Sequence, residues 1–597
     1  MKRGFKFTYL EAVSFLILHR GKHCLIGIST PFWLVAIILG ALHAWASRHS
    51  INSMGIAYLD MGEAYLRGDW DMAINAYWSP LYSWLLGIAL LILKPSSYWE
   101  FSVVHLVNFW IYLFALGCFH FFLLGLIRFH CVLHGHSTFS KWIWMVFGYT
   151  LFVWSSLYWI TLESPTPDLT VAGFVYLASG LILRVGMGAT EWLTFVLLGV
   201  VLGLAYLAKA SMFPIALIFL GITLFSVKNL RVVLPRILLS VIVFFGVCSP
   251  FILALSITQG HFTFGEAGKL NYAWIVNSVP QFRHWQGTPL GSGTPEHPTR
   301  KISDFPIVYE FAAPVKGTYP PWYDPSYWHK GLKIHFTLKK QLHVIASNLK
   351  YNFRKFHVLI VGLLILNLMS SSPQVFCKSF LKNWALWLPA IVAFSMYCLV
   401  SMQPRYIAPF MVIFCCALFS SVSLPKSKEL KILLVRATNA VLLLIISPTL
   451  TYSAAKAVAH GNHVVHTHWQ VADGLARLGI KPGSKVVCFC SDKVYTGIIY
   501  APGKVVPWLS MPEYWARLAR VQIVAEIDYG GSDIFWALDD SAKAELIKKL
   551  EGTGAQLIVA KNPPIHLSIS GWQRIPNTTY YAYIFSKNFH AGGWLQN

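Results

Sequence analysis

Apolar residues run through this chain in long blocks separated by short charged connectors. The blocks fall near 30–47, 101–127, 142–160, 169–184, 191–207, 211–227, 237–257, 357–370, 384–401, 407–424 and 432–451. At about 1.5 Å of rise per residue, such blocks suit a hydrocarbon core of about 30 Å. The pattern therefore predicts a polytopic α-helical membrane protein of about 11 transmembrane helices, with the block at 357–370 the weakest. The run 81–93, Leu-Tyr-Ser-Trp-Leu-Leu-Gly-Ile-Ala-Leu-Leu-Ile-Leu, is different. It reaches only about 20 Å as a helix and is placed flat at the interface, amphipathic or re-entrant. Beyond residue 452 the pattern changes. Residues 468–478 and 541–551 read as helices, and Lys485–Phe489 and Ala555–Ala560 as strands, which predicts a small α/β domain. The division is thus a 1–29 N-terminal segment, a 30–451 transmembrane domain and a 452–597 α/β domain.

Charge orients the bundle. With the N-terminus cytoplasmic, the inner connectors hold Arg128 and Lys141, then Arg184, then Lys228, Arg231 and Arg236, then Lys378 and Lys382, then Lys426, Lys428, Lys431 and Arg436. All are basic, as expected of cytoplasmic loops. Counting 81–93 as a span would put the clusters after it outside. The outer face then receives the loops 48–100, 161–168 and 258–350, the turns at Lys209 and 402–406, and the C-terminal domain. The 258–350 loop is too long for a mere connector. The N-terminal Lys2, Arg3, Arg20 and Lys22 precede an apolar stretch in the manner of a signal peptide. Further spans follow, so an uncleaved first helix is expected.

Composition changes little in this picture. Of 597 residues, 56% are hydrophobic and 12% charged, roughly half the usual charged share. The net charge of +23 follows from the basic connectors, and with no RNP-like motif or zinc finger it does not point to nucleic acid. The ten cysteines are mostly single and apolar in setting; Cys488 and Cys490 share one face of a strand but have no second pair to make a zinc site.

The candidate chemistry gathers on one side. Asp60, Glu63 and Arg67 fall at i, i+3 and i+7 on one helical face that Gly68 terminates. Glu163 and Asp168 flank two prolines in Thr161-Leu-Glu-Ser-Pro-Thr-Pro-Asp168, where Asp168 can also cap the next helix. Lys209 and Arg405, the latter in Gln-Pro-Arg-Tyr406, are outer-face cations at span ends, against the usual bias. A phosphate headgroup would account for both, and so would snorkelling to ordinary lipid. His460, His463, His466 and His468 form a loose cluster better read as a linker than as a metal site, and Asn577-Thr-Thr579 matches a glycosylation acceptor.

Taken in order, the acidic loop before Gly68-Asp-Trp70, the Tyr77-Trp-Ser-Pro-Leu-Tyr82 stretch, Pro167-Asp168, Ala205-Tyr-Leu-Ala-Lys209 and Pro404-Arg-Tyr406 resemble the GT-C glycosyltransferases. That family includes protein O-mannosyltransferases and lipid A aminoarabinose transferases, and the resemblance covers roughly residues 25–450. It implies transfer of a sugar from a polyprenyl-phosphate-linked donor to a glycan, lipid or protein acceptor at the outer, periplasmic face of a bacterial inner membrane. By the same resemblance Asp60 would be the general base, with Glu63 and Asp168 beside it. Lys209 and Arg405 would stabilise the leaving phosphate. Glu163, Arg67 and Tyr406 would line the substrate site, and Asp60 with Asp168 would hold a divalent cation if one is used. The aminoarabinose transferases place their first acid near Ser53 rather than Asp60, so which acid is the base stays open. A transporter or flippase of lipid-linked sugars and a non-catalytic glycan-binding scaffold are the alternatives. Mostly apolar spans with rim-placed acids favour the enzyme over the transporter.

Overall fold

The computed structural model describes residues 29–134, 139–226, 230–281, 284–311, 314–368, 373–422, 466–489, 511–528, 530–563 and 571–585, with single positions between 427 and 451. The basic N-terminus, most of the helix expected at 432–451, His460, His463 and Cys490 lie outside the described residues.

The apolar blocks are helices. In chain order they are α1 (Ser29–Ser47), α2 (Ser53–Arg67), α3 (Pro80–Leu93), α4 (Glu100–His134), α5 (Lys141–Trp154), α6 (Asp168–Gly186), α7 (Trp192–Ala208), α8 (Met212–Phe225), α9 (Leu230–Gln259), α10 (Leu338–Leu368), α11 (Trp384–Cys398) and α12 (Pro404–Ser420). Among the described residues, five helices are long and apolar enough to cross a membrane by length and composition: α1, α4, α5 with the π turn Ser155–Ile160 that extends it, α6 and α9. The shorter apolar helices α3, α7, α8, α11 and α12 pack among them. Among the described residues the arrangement is thus polytopic, without confirming eleven spans. The span expected at 357–370 is the C-terminal part of the 31-residue α10, which begins inside the segment read as a loop.

Two elements bring the site together. Helix α2 is capped at its start by Asn52, whose side chain accepts from the Met54 N–H at 2.9 Å. It ends at Gly68, which has φ 70° and donates its N–H back to Ala64 and Tyr65. Although α2 carries three charged side chains, it is buried on most of its surface and crosses α3 at a glycine pair. A Cβ on Gly62 would lie 2.7 Å from the Ser83 carbonyl oxygen and 3.1 Å from the Gly87 nitrogen. Only glycine permits the helices to approach this closely. Helix α3 has 14 residues, about 21 Å of helix. It buries Tyr82, Ser83, Leu86 and Gly87 against its neighbours and leaves Ile88, Leu91, Ile92 and Leu93 exposed.

Among the described residues the C-terminal domain is built on a seven-stranded sheet in the order β1-β2-β4-β3-β5-β7-β6. Strands β3 (Lys485–Phe489), β4 (Gln522–Ile527) and β5 (Leu557–Lys561) are parallel neighbours, and β6 (Trp572–Arg574) and β7 (Tyr580–Ile584) close one edge as a hairpin. Side chains alternate across the sheet. Val486, Cys488, Leu557 and Val559 meet α13 (Thr467–Arg477) and Trp515 of α14 (Pro512–Leu518). Val487, Phe489, Ile558 and Ala560 meet Leu546 and Leu550 of α15 (Asp540–Glu551). The other edge comes from far away in sequence. Strands β1 (Arg300–Asp304) and β2 (Ile307–Glu310) belong to the long loop, and β2 pairs antiparallel with β4. Hence the loop is part of the α/β domain and ties it to the bundle.

Candidate active site

Three helices of the bundle bring one charged residue each to a common point. The π turn after α5 ends at Thr161, with φ 66°, and the following Pro165 packs on Gly55 of α2, where a Cβ would sit 2.5 Å from its ring. This seats Asp168 at the start of α6, beside the end of α7 and the start of α12. Asp168 is buried, and its Oδ1 accepts from Lys209 Nζ at 2.6 Å. Its Oδ2 accepts from Thr166 Oγ1 at 3.0 Å and lies 3.6 Å from Arg405 Nε. Helix capping by Asp168, expected from sequence, does not occur: its side chain makes no cap bond and turns to the two cations instead. Tyr406 completes the group. Lys209 Nζ sits 3.4 Å over its ring centroid and Arg405 Nη2 donates to its hydroxyl at 3.2 Å. Arg405 also reaches back to α2, with Nη2 at 3.8 Å from Met54 Sδ. Glu163 accepts from Ser50 just before α2, at a long 3.4 Å.

Asp60, Glu63 and Arg67 do share one face of α2, but its surroundings were not foreseeable. Arg517 of α14 inserts between α2 and the start of α4, with a side chain only 3% exposed. Its Nη1 donates to Asp60 Oδ1 at 2.7 Å, Nη2 to Glu63 Oε1 at 2.6 Å, and Nη2 again to Glu100 Oε1 at 2.7 Å. Arg520 adds a bond to Glu100 at 2.7 Å and a short one to Glu63. Asp60 receives two further bonds from Thr318 of the long loop, from the amide at 2.7 Å and the hydroxyl at 3.0 Å. Burial lifts the Asp60 carboxyl above the ordinary range, outweighing Arg517 and Thr318. For Glu63 the balance reverses: burial pushes it up, but the two guanidiniums hold it at about 2. Arg67 touches the network only at its margin, 3.8 Å from Glu63.

The residues singled out by sequence therefore fall into two clusters. Asp168, Lys209, Arg405 and Tyr406 form one, and Asp60 and Glu63 join the other, with Arg517, Arg520 and Glu100. Among the described residues Asp60 and Asp168, the pair expected to hold a divalent cation, share no partner: Arg517 pairs with Asp60, and Lys209 and Arg405 with Asp168. Among the described residues no three His, Cys, Asp or Glu side chains come together as a metal site. His466 and His468 pack on aromatic rings, against Tyr98 and Tyr514 respectively.

Sequence reasoning missed Glu100, Thr318, Arg517 and Glu513. Only Glu100 carried a signal, as an acid opening a long apolar block. Glu513 begins α14 one turn before Arg517 and is 2% exposed. Its Oε1 accepts from Ser53 Oγ at 2.6 Å. It is near Ser53 that the resemblance to the aminoarabinose transferases would place the first acid.

The fold, bundle and α/β domain together, has a counterpart among solved proteins. ArnT from Cupriavidus metallidurans in the apo state superposes with a TM-score of 0.51, covering 96% of this chain and 98% of that one at 12% identity. The fold is that of a GT-C glycosyltransferase. ArnT bound to undecaprenyl phosphate gives a TM-score of 0.50, covering 94% and 98% at 12% identity. The oligosaccharyltransferase from Archaeoglobus fulgidus in the apo form scores 0.48, covering 90% and 69% at 14% identity. No family model matches the chain, and no curated protein matches it in sequence.

Proposed function

We propose that this protein is a glycosyltransferase of the bacterial inner membrane. It moves a sugar from a polyprenyl-phosphate carrier to a hydroxyl on a glycan, lipid or protein acceptor at the periplasmic face. The observation that carries the reading is the buried Asp168 held at 2.6 Å by Lys209, with Arg405 at 3.6 Å, at one end of the helix bundle. Two cations set around a single carboxylate leave capacity for a second anion, and Arg405 offers the fork that suits a phosphate. At the opposite end of α6 lies Arg184, one of the basic residues expected in the cytoplasm. The complex of ArnT with undecaprenyl phosphate supports a lipid-phosphate donor.

In this reading the acceptor oxygen attacks the anomeric carbon and the carbon–oxygen bond to the lipid phosphate breaks. Its electron pair leaves on the phosphate, where Lys209 and Arg405 stabilise the growing charge in a site of low dielectric. Asp168 keeps both cations charged and in place. The exposed apolar end of α3, at Leu91, Ile92 and Leu93, is suited to contact the polyprenyl tail.

The test is purified protein in nanodiscs with polyprenyl-phosphate sugars, comparing wild type with Asp168→Asn, Lys209→Met and Arg405→Ala. Transfer by wild type and loss in all three supports the proposal. Full activity in all three refutes the site. Lipid movement across vesicles without sugar transfer would favour a flippase.

A further inference from the structure

The first half of α10 is inside out for a helix in water. Its buried face carries amides: Gln341, Asn348 and Asn352 are between 5% and 8% exposed. They donate to carbonyls of the turn between α11 and α12, Gln341 to Leu399 at 2.7 Å, Asn348 to Cys398 at 3.0 Å and Asn352 to Met402 at 2.7 Å. The outward face carries Leu338, Leu342, Leu349 and Phe353, each between 54% and 61% exposed. At about 100° per residue these four fall within about 60° around the helix axis, as one stripe. Lys339, Lys350 and Arg354 form a second exposed stripe beside it, centred about 100° further round. Ile334 and Phe336, just before the helix, are exposed as well.

Charge adds a second observation. From Leu332 to Leu368 the chain has six Lys and Arg and no Asp or Glu. None of the six pairs with an acid among the described residues. Lys355 lies over the Trp159 and Tyr351 rings, 5.9 and 5.7 Å from their centroids. This is the end of the bundle that carries Asp168, Lys209 and Arg405, since Trp159 stands on the π turn that leads to Thr161 and Met402 lies three residues before Arg405. Arg184 marks the opposite end, so the usual concentration of cations in inner connectors does not explain these six. The 31 residues of α10 extend about 46 Å, against about 30 Å for a hydrocarbon core, which leaves about 11 residues for the headgroup layer. Lys339 and Lys340 lie in that stretch. Lys350 and Arg354 begin just below it, from where long side chains reach back to the phosphates.

We propose that the first half of α10, with Ile334 and Phe336 ahead of it, is a docking face for anionic phospholipid. Leu338, Leu342, Leu349 and Phe353 enter the boundary of the acyl chains, and Lys339, Lys350 and Arg354 hold the lipid phosphates. An apolar sector beside a Lys/Arg sector is the arrangement of a helix seated in a membrane interface. The exposed apolar surface also continues down the helix to Val358 and Val361, in the stretch that the sequence marks as a span. An acidic protein would satisfy the cations but not the leucines beside them. The end of the 258–350 loop thereby becomes part of the membrane surface. The inference goes beyond the glycosyl-transfer reading and does not depend on it.

The experiment places a fluorophore on Leu342→Cys in protein whose exposed Cys377 is changed to Ser, with the Cys377→Ser parent as the labelling background. The protein is reconstituted in phosphatidylcholine vesicles with and without phosphatidylglycerol. Asp540→Cys, fully exposed on the α/β domain, is the reference for water. The label at 342 should be quenched by lipids with a doxyl group near the headgroup and shielded from aqueous iodide, with the reverse at 540. Doxyl-phosphatidylglycerol should quench it at a lower mole fraction than doxyl-phosphatidylcholine. Each Lys or Arg near an anionic membrane surface contributes about fivefold in binding. The combined Lys339→Gln, Lys350→Gln and Arg354→Gln variant should therefore lower that preference about tenfold or more, with thermal unfolding as the control for folding. If this variant does not fold, Lys339→Gln alone decides. Iodide access at 342 equal to that at 540 overturns the docking face. Equal quenching by the two lipids, or a preference unchanged by removing the charge, overturns the anionic lipid. Shielding from both quenchers with a cross-linked dimer would assign the stripe to a second copy of the chain. Displacement of doxyl-phosphatidylglycerol by an equal amount of polyprenyl phosphate would assign it to the donor lipid, and either result overturns the proposal. A protein that transfers no sugar leaves the inference standing, because none of these readouts uses activity.

Discussion

Replacing Arg517 by Met tests how the C-terminal domain is held on the bundle. The guanidinium is 3% exposed and bonds to Asp60, Glu63 and Glu100, whose side chains are 5%, 26% and 0% exposed. Met is close in volume, so the change removes charge and hydrogen bonds with little loss of packing. Among the described residues Asp60 then keeps the two Thr318 bonds, and Glu100 keeps Arg520. Removing one partner of a buried ion pair costs about 3–5 kcal/mol, because the remaining charge stays desolvated. The three bonds do not add to three such penalties, since Arg520 compensates in part and the orphaned carboxylates can take up protons. The expected loss is therefore about 3–5 kcal/mol at pH 8 and smaller at pH 5, where protonation relieves the buried acids. Equilibrium unfolding in mixed micelles, followed by tryptophan fluorescence, measures it. Arg477→Met is the control, because its pair with Asp473 is exposed on both sides and should contribute at most about 1 kcal/mol. A loss below about 1 kcal/mol for Arg517→Met, or one no larger than the control's, refutes the assignment of a structural lock.

The remaining predictions concern the two helix-end clusters and the α2–α3 contact. Lys209→Met should lower kcat roughly 100- to 1,000-fold, the range for losing one group that stabilises developing charge, and Arg405→Lys should also fail because it lacks the planar fork. Steady-state kinetics with a polyprenyl-phosphate sugar checks both. Gly62→Ala drives a Cβ to 2.7 Å from the Ser83 carbonyl oxygen and should destabilise by about 1–3 kcal/mol, measured by the same unfolding assay. Glu513 should leave a mark on stability. Its folded pKa of about 7 lies above the ordinary 4.5, so the fold binds its proton more tightly than the unfolded chain does. The stabilisation is complete below about pH 4.5 and is lost as pH rises to about 7, by roughly 3 kcal/mol in all at about 1.4 kcal/mol per unit. Glu513→Gln should abolish this decline, and equal pH slopes for variant and wild type would contradict the burial argument.

The sequence alone determined the features that depend on local composition. Among the described residues the long apolar blocks are helices. Gly68 ends α2 because a left-handed residue is needed there. Basic connectors and rim acids separate to opposite helix ends, as Arg184 and Asp168 do on α6. The strand at Lys485–Phe489 was visible as a short apolar run. Even the charged point at Asp168, Lys209 and Arg405 was legible, since each stands at a span end where charge needs a reason. Tertiary structure decided what no local pattern encodes. Strands β1 and β2 are short and polar on their exposed side, and they become part of a sheet only because β4 presents a free edge more than 200 residues later, with Tyr309 opposite Glu526. Arg517 and Glu513 lie on a seven-residue helix whose sequence gives no hint of partners on α2. The role of Asp60 turned on that same packing. Its position on the acidic face of α2 was readable from spacing, but an arginine from the other end of the chain holds its side chain in place. Burial and long-range ion pairing act through space, and the chain can specify them only once it has folded.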